Sequence, residues 1–203
     1  MCGRYSMEAD LDEVRRRFGI IGAADLCYAP DPKDVRPTDP IVTVIEEGQG
    51  HQGVMMRWGL PPNGRGKPLI NARVETLESN NLWRKRFPVQ RCLVVADGFY
   101  EWRQNPNGSK TQMWLGLRSG GLFSMAGVWG LVTDKVGQWV QSAAIITCPS
   151  NDLAVPIHDR MPVMLDRESE ALWLDPLSQD PTVLKQVLVP FPSEAMVAHD
   201  YTD

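Results

Sequence analysis

Residue 2 of the chain is a cysteine, in the segment Met1-Cys2-Gly3-Arg4. A small residue behind the initiator methionine permits removal of Met1. The new first residue then carries a thiol and a free α-amine two carbons apart. Such a 1,2-aminothiol can attack one electrophile twice, which no internal cysteine can do. An α-amine titrates near ~7.7–8.0, so a useful share of it is neutral and nucleophilic at physiological pH. The competing reading is an ordinary residue at a frayed terminus.

Three further clusters put polar side chains where a strand or tight turn would fix them. Asn71-Ala72-Arg73-Val74-Glu75 follows the apolar pair Leu69-Ile70. Asn71 can donate and accept, so it could orient an amine or a carbonyl. Arg73 offers a planar fork to phosphate or carboxylate, or pairs with Glu75. Asp97-Gly98-Phe99-Tyr100-Glu101-Trp102 sets a carboxylate between two aromatic rings. That setting raises a carboxyl pKa and suits a general acid or base, unless Glu101 simply faces out of its strand. Ile157-His158-Asp159-Arg160-Met161-Pro162 holds the one histidine of three that has chemically rich neighbours. His158 is either a proton carrier or a cap for Asp159 or a backbone carbonyl, and Arg160 either binds an anion or pairs with Asp159.

The elements that must position these residues are mostly strands. An amphipathic helix is expected over Glu8–Phe18, with Ser6 as its N-cap and Gly19 as its stop. A Pro- and Asp-rich loop covers 29–40. Strands are expected over 41–45, 54–58, 92–96, 99–103, 113–117, 122–129 and 140–147, with an Asp97-Gly98 turn and a hairpin turn at 105–108. Residues 70–73 read as a short extended piece and 75–83 as a short helical segment. Asp166 opens a helix over 167–174, and Asp180-Pro181 opens another through about Val187. The pattern is α+β: a curved antiparallel sheet or barrel with peripheral helices, in a single domain spanning 1–203.

Composition narrows the class. The chain has 203 residues, 43% of them hydrophobic, ordinary for a protein with a sizeable core. No apolar run approaches the ~20 residues of a membrane span, and acidic residues from Glu8 onward replace a signal peptide's apolar stretch. A cytoplasmic protein with no membrane partner is expected. The cysteines at 2, 27, 92 and 148 form no C-x-x-C pair, which argues against a zinc cluster and a disulfide framework. No metal or cofactor is implied. The net charge of −4 gives no support to avid non-specific binding of nucleic acid, yet seven cations fall between Arg57 and Arg86 with few acids, which allows a local basic patch or a solvated face.

In this order and spacing the pieces resemble the SRAP (SOS-response-associated peptidase) family of abasic-site processing proteins. The resemblance rests on Met1-Cys-Gly-Arg4, Trp58-Gly-Leu60, Pro68-Leu-Ile-Asn-Ala-Arg-Val-Glu-Thr76, the segment from Arg91-Cys92 to Glu101-Trp102, and Ile157-His-Asp-Arg-Met-Pro162. It implies a monomer that binds single-stranded DNA and forms a covalent thiazolidine between Cys2 and the aldehyde of an abasic site. It also implies a peptidase activity that removes the residue ahead of Cys2. By the same resemblance Asn71, Glu101 and His158 join Cys2 as catalytic residues, with Glu101 as acid and base and His158 as proton shuttle. Arg4, Arg73, Arg65, Lys67 and Arg160 become contacts to DNA.

Three departures accompany the resemblance. The loop from Pro61 to Lys67 lacks the tryptophan that relatives often wedge against bases. Asp34-Val-Arg-Pro-Thr38 stands where relatives carry an asparagine. The C-terminus reads as short, implying a clipped edge strand or an altered DNA face. Two other functions use the same residues differently. An N-terminal nucleophile amidohydrolase such as a glutamine amidotransferase also begins Met-Cys-Gly, though its further Arg, Asn-Gly and Asp motifs are not found. A non-covalent single-strand-binding module would leave Cys2 without a role.

Overall fold

In the computed structural model, residues 2–21, 25–48, 50–61, 67–134 and 137–201 are described. Five strands carry the longest apolar runs: β2 (Pro40–Glu47), β3 (Gly50–Trp58), β5 (Arg91–Ala96), β8 (Phe123–Thr133) and β9 (Trp139–Pro149). In β5 every residue is buried, and in β2 the run from Ile41 to Ile45 is buried on both faces. A strand with no solvent face must lie in a closed or covered sheet. Here the sheet closes on itself. β3 pairs with β2, β2 with β5, β5 with β8 and β8 with β9, all antiparallel. The fifth seam, β3 with β9, is parallel, with Arg57 opposite Ser142 and Trp58 opposite Ala143. The expected antiparallel barrel is therefore a mixed one.

The parallel seam has a second part. After Trp58 the chain leaves the barrel, Leu60 and Leu69 bridge the base of the excursion, and β4 (Asn71–Arg73) rejoins β9 further along, opposite Ile145–Thr147. On the other side of that stretch of β9 lies β10 (Arg160–Pro162), with Met161 opposite Cys148. β11 (Met164–Leu165) extends β8. The second sheet is antiparallel, in the order β1 (Tyr5–Ser6), β6 (Gly98–Gln104), β7 (Lys110–Leu117), β12 (Met196–Asp200). β12 pairs with β7 over five residues.

Helices are few and peripheral. α1 spans Leu11–Phe18 and ends at Gly19, whose φ of 61° suits a residue without Cβ. Its N-cap is Asp10 rather than Ser6, because Ser6 is taken up in strand pairing with Gly98 and the helix starts only at Leu11. α2 (Arg167–Leu174) is capped by Asp166 as expected. α3 (Pro181–Lys185) starts at Asp180 as expected but stops short of Val187. The helix expected over 75–83 is a single 3-10 turn, Val74–Thr76, followed by further turns. One cause is local: the Asn80 side chain takes the Leu82 N–H, replacing a helical bond with a turn.

Candidate active site at the buried residue-2 cysteine

The two residues of β1 hold the N-terminal segment against β6. Tyr5 pairs with Phe99 and Ser6 with Gly98, and the Tyr100 N–H donates to the Arg4 carbonyl at 3.0 Å. Two residues of pairing are a weak anchor, and Asp97 reinforces it. Its carboxylate accepts from the Ser6 hydroxyl at 2.5 Å, the Glu8 N–H at 2.5 Å and the Ala9 N–H at 3.2 Å. Gly98 is needed beside it, since a Cβ there would meet the Trp114 indole at 2.0 Å. The Tyr5 ring packs edge-on against Trp58 of β3, with centroids 5.2 Å apart. These contacts draw the segment into the interior. Cys2 is fully buried, the opposite of a frayed terminus.

Asn71 opens β4 and reaches Cys2 directly, its Nδ2 donating to the Cys2 carbonyl at 2.9 Å. Its Oδ1 is buried and has no hydrogen-bond partner among the described residues. Burial, aided by the Glu101 charge, pushes the Cys2 thiol well above the ordinary thiol pKa. A thiol in that environment stays protonated until a neighbouring base accepts its proton.

Glu101 is the carboxyl whose charge reaches that thiol. It lies on β6 and is 4% exposed, so the outward-facing reading of this residue is overturned. Burial raises its carboxyl pKa, and the nearby His158 partly offsets the shift. His158 Nε2 stands 3.9 Å from Glu101 Oε2. The His158 ring sits in the turn between β9 and β10. Its Nδ1 faces both the Arg160 N–H, at 3.0 Å, and the Asp159 carboxylate, at 2.9 Å. A backbone N–H can only donate, whereas Asp159 lies in solvent. The assignment that follows has Nδ1 accepting and the proton on Nε2, facing Glu101.

Arg160 does not pair with Asp159. Its guanidinium is forked onto Glu75 at 2.5 and 3.0 Å and also donates to the Thr147 carbonyl at 2.6 Å. This pair ties the turn after β4 to β10 across β9, and so ties Asn71 to His158. It also holds the Glu75 carboxyl below its ordinary pKa. Arg73, by contrast, is exposed on β4, and its side chain makes no hydrogen bond or ion pair among the described residues.

Arg4 has a partner that the sequence did not disclose. Its Nε donates to Asp34, and its guanidinium lies 5.4 Å from the centroid of the Trp102 ring. Arg36 donates to the same carboxylate at 2.6 Å. Burial alone would raise the Asp34 pKa, but the two arginines outweigh it and hold the carboxyl below its ordinary value. No local pattern marks this role, since Asp34 and Arg4 are brought together only by the fold. Lys67 is exposed at the foot of the Pro61–Lys67 loop. Arg65, and the loop positions where relatives carry tryptophan, lie outside the described residues.

The structure is a closed mixed barrel faced by an antiparallel sheet, with a buried residue-2 cysteine whose carbonyl is bonded to Asn71, and with Glu101 set beside His158. The family model described as SOS response associated peptidase (SRAP) matches residues 1–202. The chain belongs to that family. It is 35% identical over 204 aligned positions to abasic site processing protein YoqW of Bacillus subtilis (strain 168), covering 98% of this chain and 91% of the relative. Abasic site processing protein YedK of Escherichia coli (strain K12) is 27% identical over 178 positions, covering 86% and 79%. A crystal structure of a Bacteroides thetaiotaomicron protein superposes with a TM-score of 0.87 at 25% identity, covering all of this chain and 93% of the other.

Proposed function

We propose that this chain, once Met1 is removed, captures abasic sites in single-stranded DNA through Cys2. The α-amine condenses with the open-chain aldehyde, losing water to give an imine. The thiol then adds to the imine carbon, its proton passes to nitrogen, and a five-membered thiazolidine closes. The ring removes the imine that would otherwise promote β-elimination, so the strand stays intact.

The observation that carries this reading is the Asn71–Cys2 bond, which holds residue 2 beside Glu101 in a buried site. Glu101, with its raised pKa, supplies an acid for sugar-ring opening and loss of water, then a base for the thiol. His158 relays that proton from 3.9 Å away. The Asn71 Oδ1 accepts from the amine. Arg73 meets the phosphates, with Lys67, Arg65 and Arg4 as further contacts. Arg160, forked onto Glu75, adds its charge at the same end of β9 but reaches a phosphate only if Glu75 yields. Self-removal of Met1 belongs to the same proposal, as do a monomeric state and action in the cytoplasm.

The test is a denaturing gel of purified protein, confirmed by mass to lack Met1, mixed with single-stranded DNA carrying one abasic site. A heat-stable shifted band that Cys2→Ala abolishes is expected. Absence of the band overturns the proposal. Ammonia release from glutamine would favour the amidohydrolase, and native-gel shifts indifferent to Cys2→Ala would favour a non-covalent module. Freshly translated chain that keeps Met1 on prolonged incubation alone would overturn self-processing.

A further inference from the structure

Trp139, the first residue of β9, is 69% exposed and has no ring partner among the described residues. It forms one wall of an open groove of about 420 Å³ whose other walls include Thr38, Pro40, Met55, Arg57 and Gln141. We propose that this groove is a second contact for the DNA strand, in which a base away from the lesion stacks on Trp139 and Arg57 meets the adjoining phosphate. The proposal rests on the single-stranded DNA reading given above.

Three observations favour nucleic acid as the occupant. The first is charge. The chain carries 25 acidic residues against 21 basic ones, yet among the described residues no carboxylate lines the groove, and its one charged wall is Arg57. The Arg57 guanidinium makes no hydrogen bond or ion pair among the described residues. A cation beside an exposed indole is the pairing that holds single strands, through phosphate contact and a stack that accepts any base.

The second is continuity. Arg57 lies on the parallel seam of β9, opposite Ser142, and further along the same edge Asn71–Arg73 face Ile145–Thr147. From Trp139 to Ile145 is six residues of strand, about 20 Å, a span bridged by a few nucleotides. The groove and the candidate active site therefore share one edge of one strand. The third is strain. Thr38, on the groove wall, has φ of 83°, the one non-glycine residue with positive φ among the described residues. A β-branched residue rarely adopts that conformation, and such outliers gather at ligand sites.

The test uses the full chain and fluorescein-labelled single strands without a lesion, read by anisotropy. Trp139→Ala is expected to weaken binding roughly 5- to 150-fold, the range for one lost base stack, and Trp139→Phe to recover most of it. Arg57→Gln is expected to lower the slope of log affinity on log salt by about 0.7. On a second set of strands that carry one lesion, unreactive baseless spacers placed singly at increasing distance from it should reveal one position, a few nucleotides away, where base loss weakens the parent but not Trp139→Ala. Crosslinking at limiting DNA should slow in Trp139→Ala and Arg57→Gln in step with their lost binding. If the parent crosslinks abasic DNA while Trp139→Ala binds as tightly as the parent, the groove contact is overturned and the active-site reading stands. If the parent forms no crosslink, the active-site reading fails on its own. A Trp139→Ala defect that phenylalanine does not repair also overturns the proposal, as does one confined to protein partners.

Discussion

Glu101 is a carboxyl group that folding leaves at a disadvantage when charged. Burial raises its pKa in the folded chain, against the partial relief given by His158. Between the ordinary carboxylate range and that raised value, the folded chain holds a proton that the unfolded chain has released. Stability therefore falls with rising pH across that window. Glutamine keeps the shape and has no proton to lose. The melting temperature of Glu101→Gln, measured against the parent from about pH 4 to about pH 8, should shift in the variant's favour as pH rises. A difference independent of pH would mean that Glu101 titrates alike in both states. Crosslinking should move the opposite way, slowing on the order of 10²-fold, the usual contribution of a positioned acid or base. A variant that is sturdier at neutral pH yet slower in single-turnover assays would separate the carboxyl's chemistry from any structural duty. Asn71 differs: its bond to the Cys2 carbonyl serves position and fold together.

The element on which the site depends most is also the smallest. β1 has two residues, and Asp97 secures it with three hydrogen bonds. Asp97→Ala leaves those donors without their acceptor, a loss of about 1–3 kcal/mol. For a chain of this length each kcal/mol is worth roughly 2–4 °C, so thermal melting should drop by several degrees. Crosslinking should slow because Cys2 loses its fixed approach. Parent-like melting would show that the strand pairing alone suffices. Such an anchor is only half visible in a sequence. Asp97-Gly98 reads as a turn, but nothing local says that its carboxylate reaches back to Ser6 and Glu8. The same limit separates what was legible from what was not. The β-branched and apolar runs at 41–45, 92–96 and 140–147 fix those strands as strands, because that pattern serves two buried faces wherever the strand sits. Asn71, Glu101 and His158 could be singled out as candidates because each lies in a short local motif, and the fold does bring Asn71 to Cys2 and His158 to Glu101. The parallel β3–β9 seam was not, since pairing between Arg57 and Ser142 leaves no mark on either segment. Asp34 as the partner of Arg4 and Trp139 as a groove wall belong to the same class, residues given meaning by neighbours distant in the chain.

At the scale of the whole molecule, a formal charge of −4 opposes a polyanion, so binding must depend on where cations stand free rather than on their number. The fold already pairs several with carboxylates, which each must share or leave to reach a phosphate. Arg4 and Arg36 share Asp34, Arg160 is forked onto Glu75, and Arg17 is bonded to Glu170 at 2.8 and 2.9 Å. Arg73 is different: it is exposed on β4 two residues from Asn71, without a hydrogen bond or ion pair among the described residues. A cation so placed attracts phosphate at every sequence equally and reads none of the bases. Arg73→Ala should therefore weaken binding of single strands with and without a lesion by the same factor. It should also flatten the slope of log affinity against log salt by about 0.7, the counterion share of one single-strand phosphate. Crosslinking should slow at low DNA concentration and recover at saturation, since the residue holds the strand and does not touch the aldehyde. Anisotropy titrations across a salt series measure the slope, and single-turnover gels measure the recovery. An unchanged slope would remove Arg73 from the phosphate path. A crosslinking defect that persists at saturating DNA would place it instead among the groups that align the lesion with Cys2.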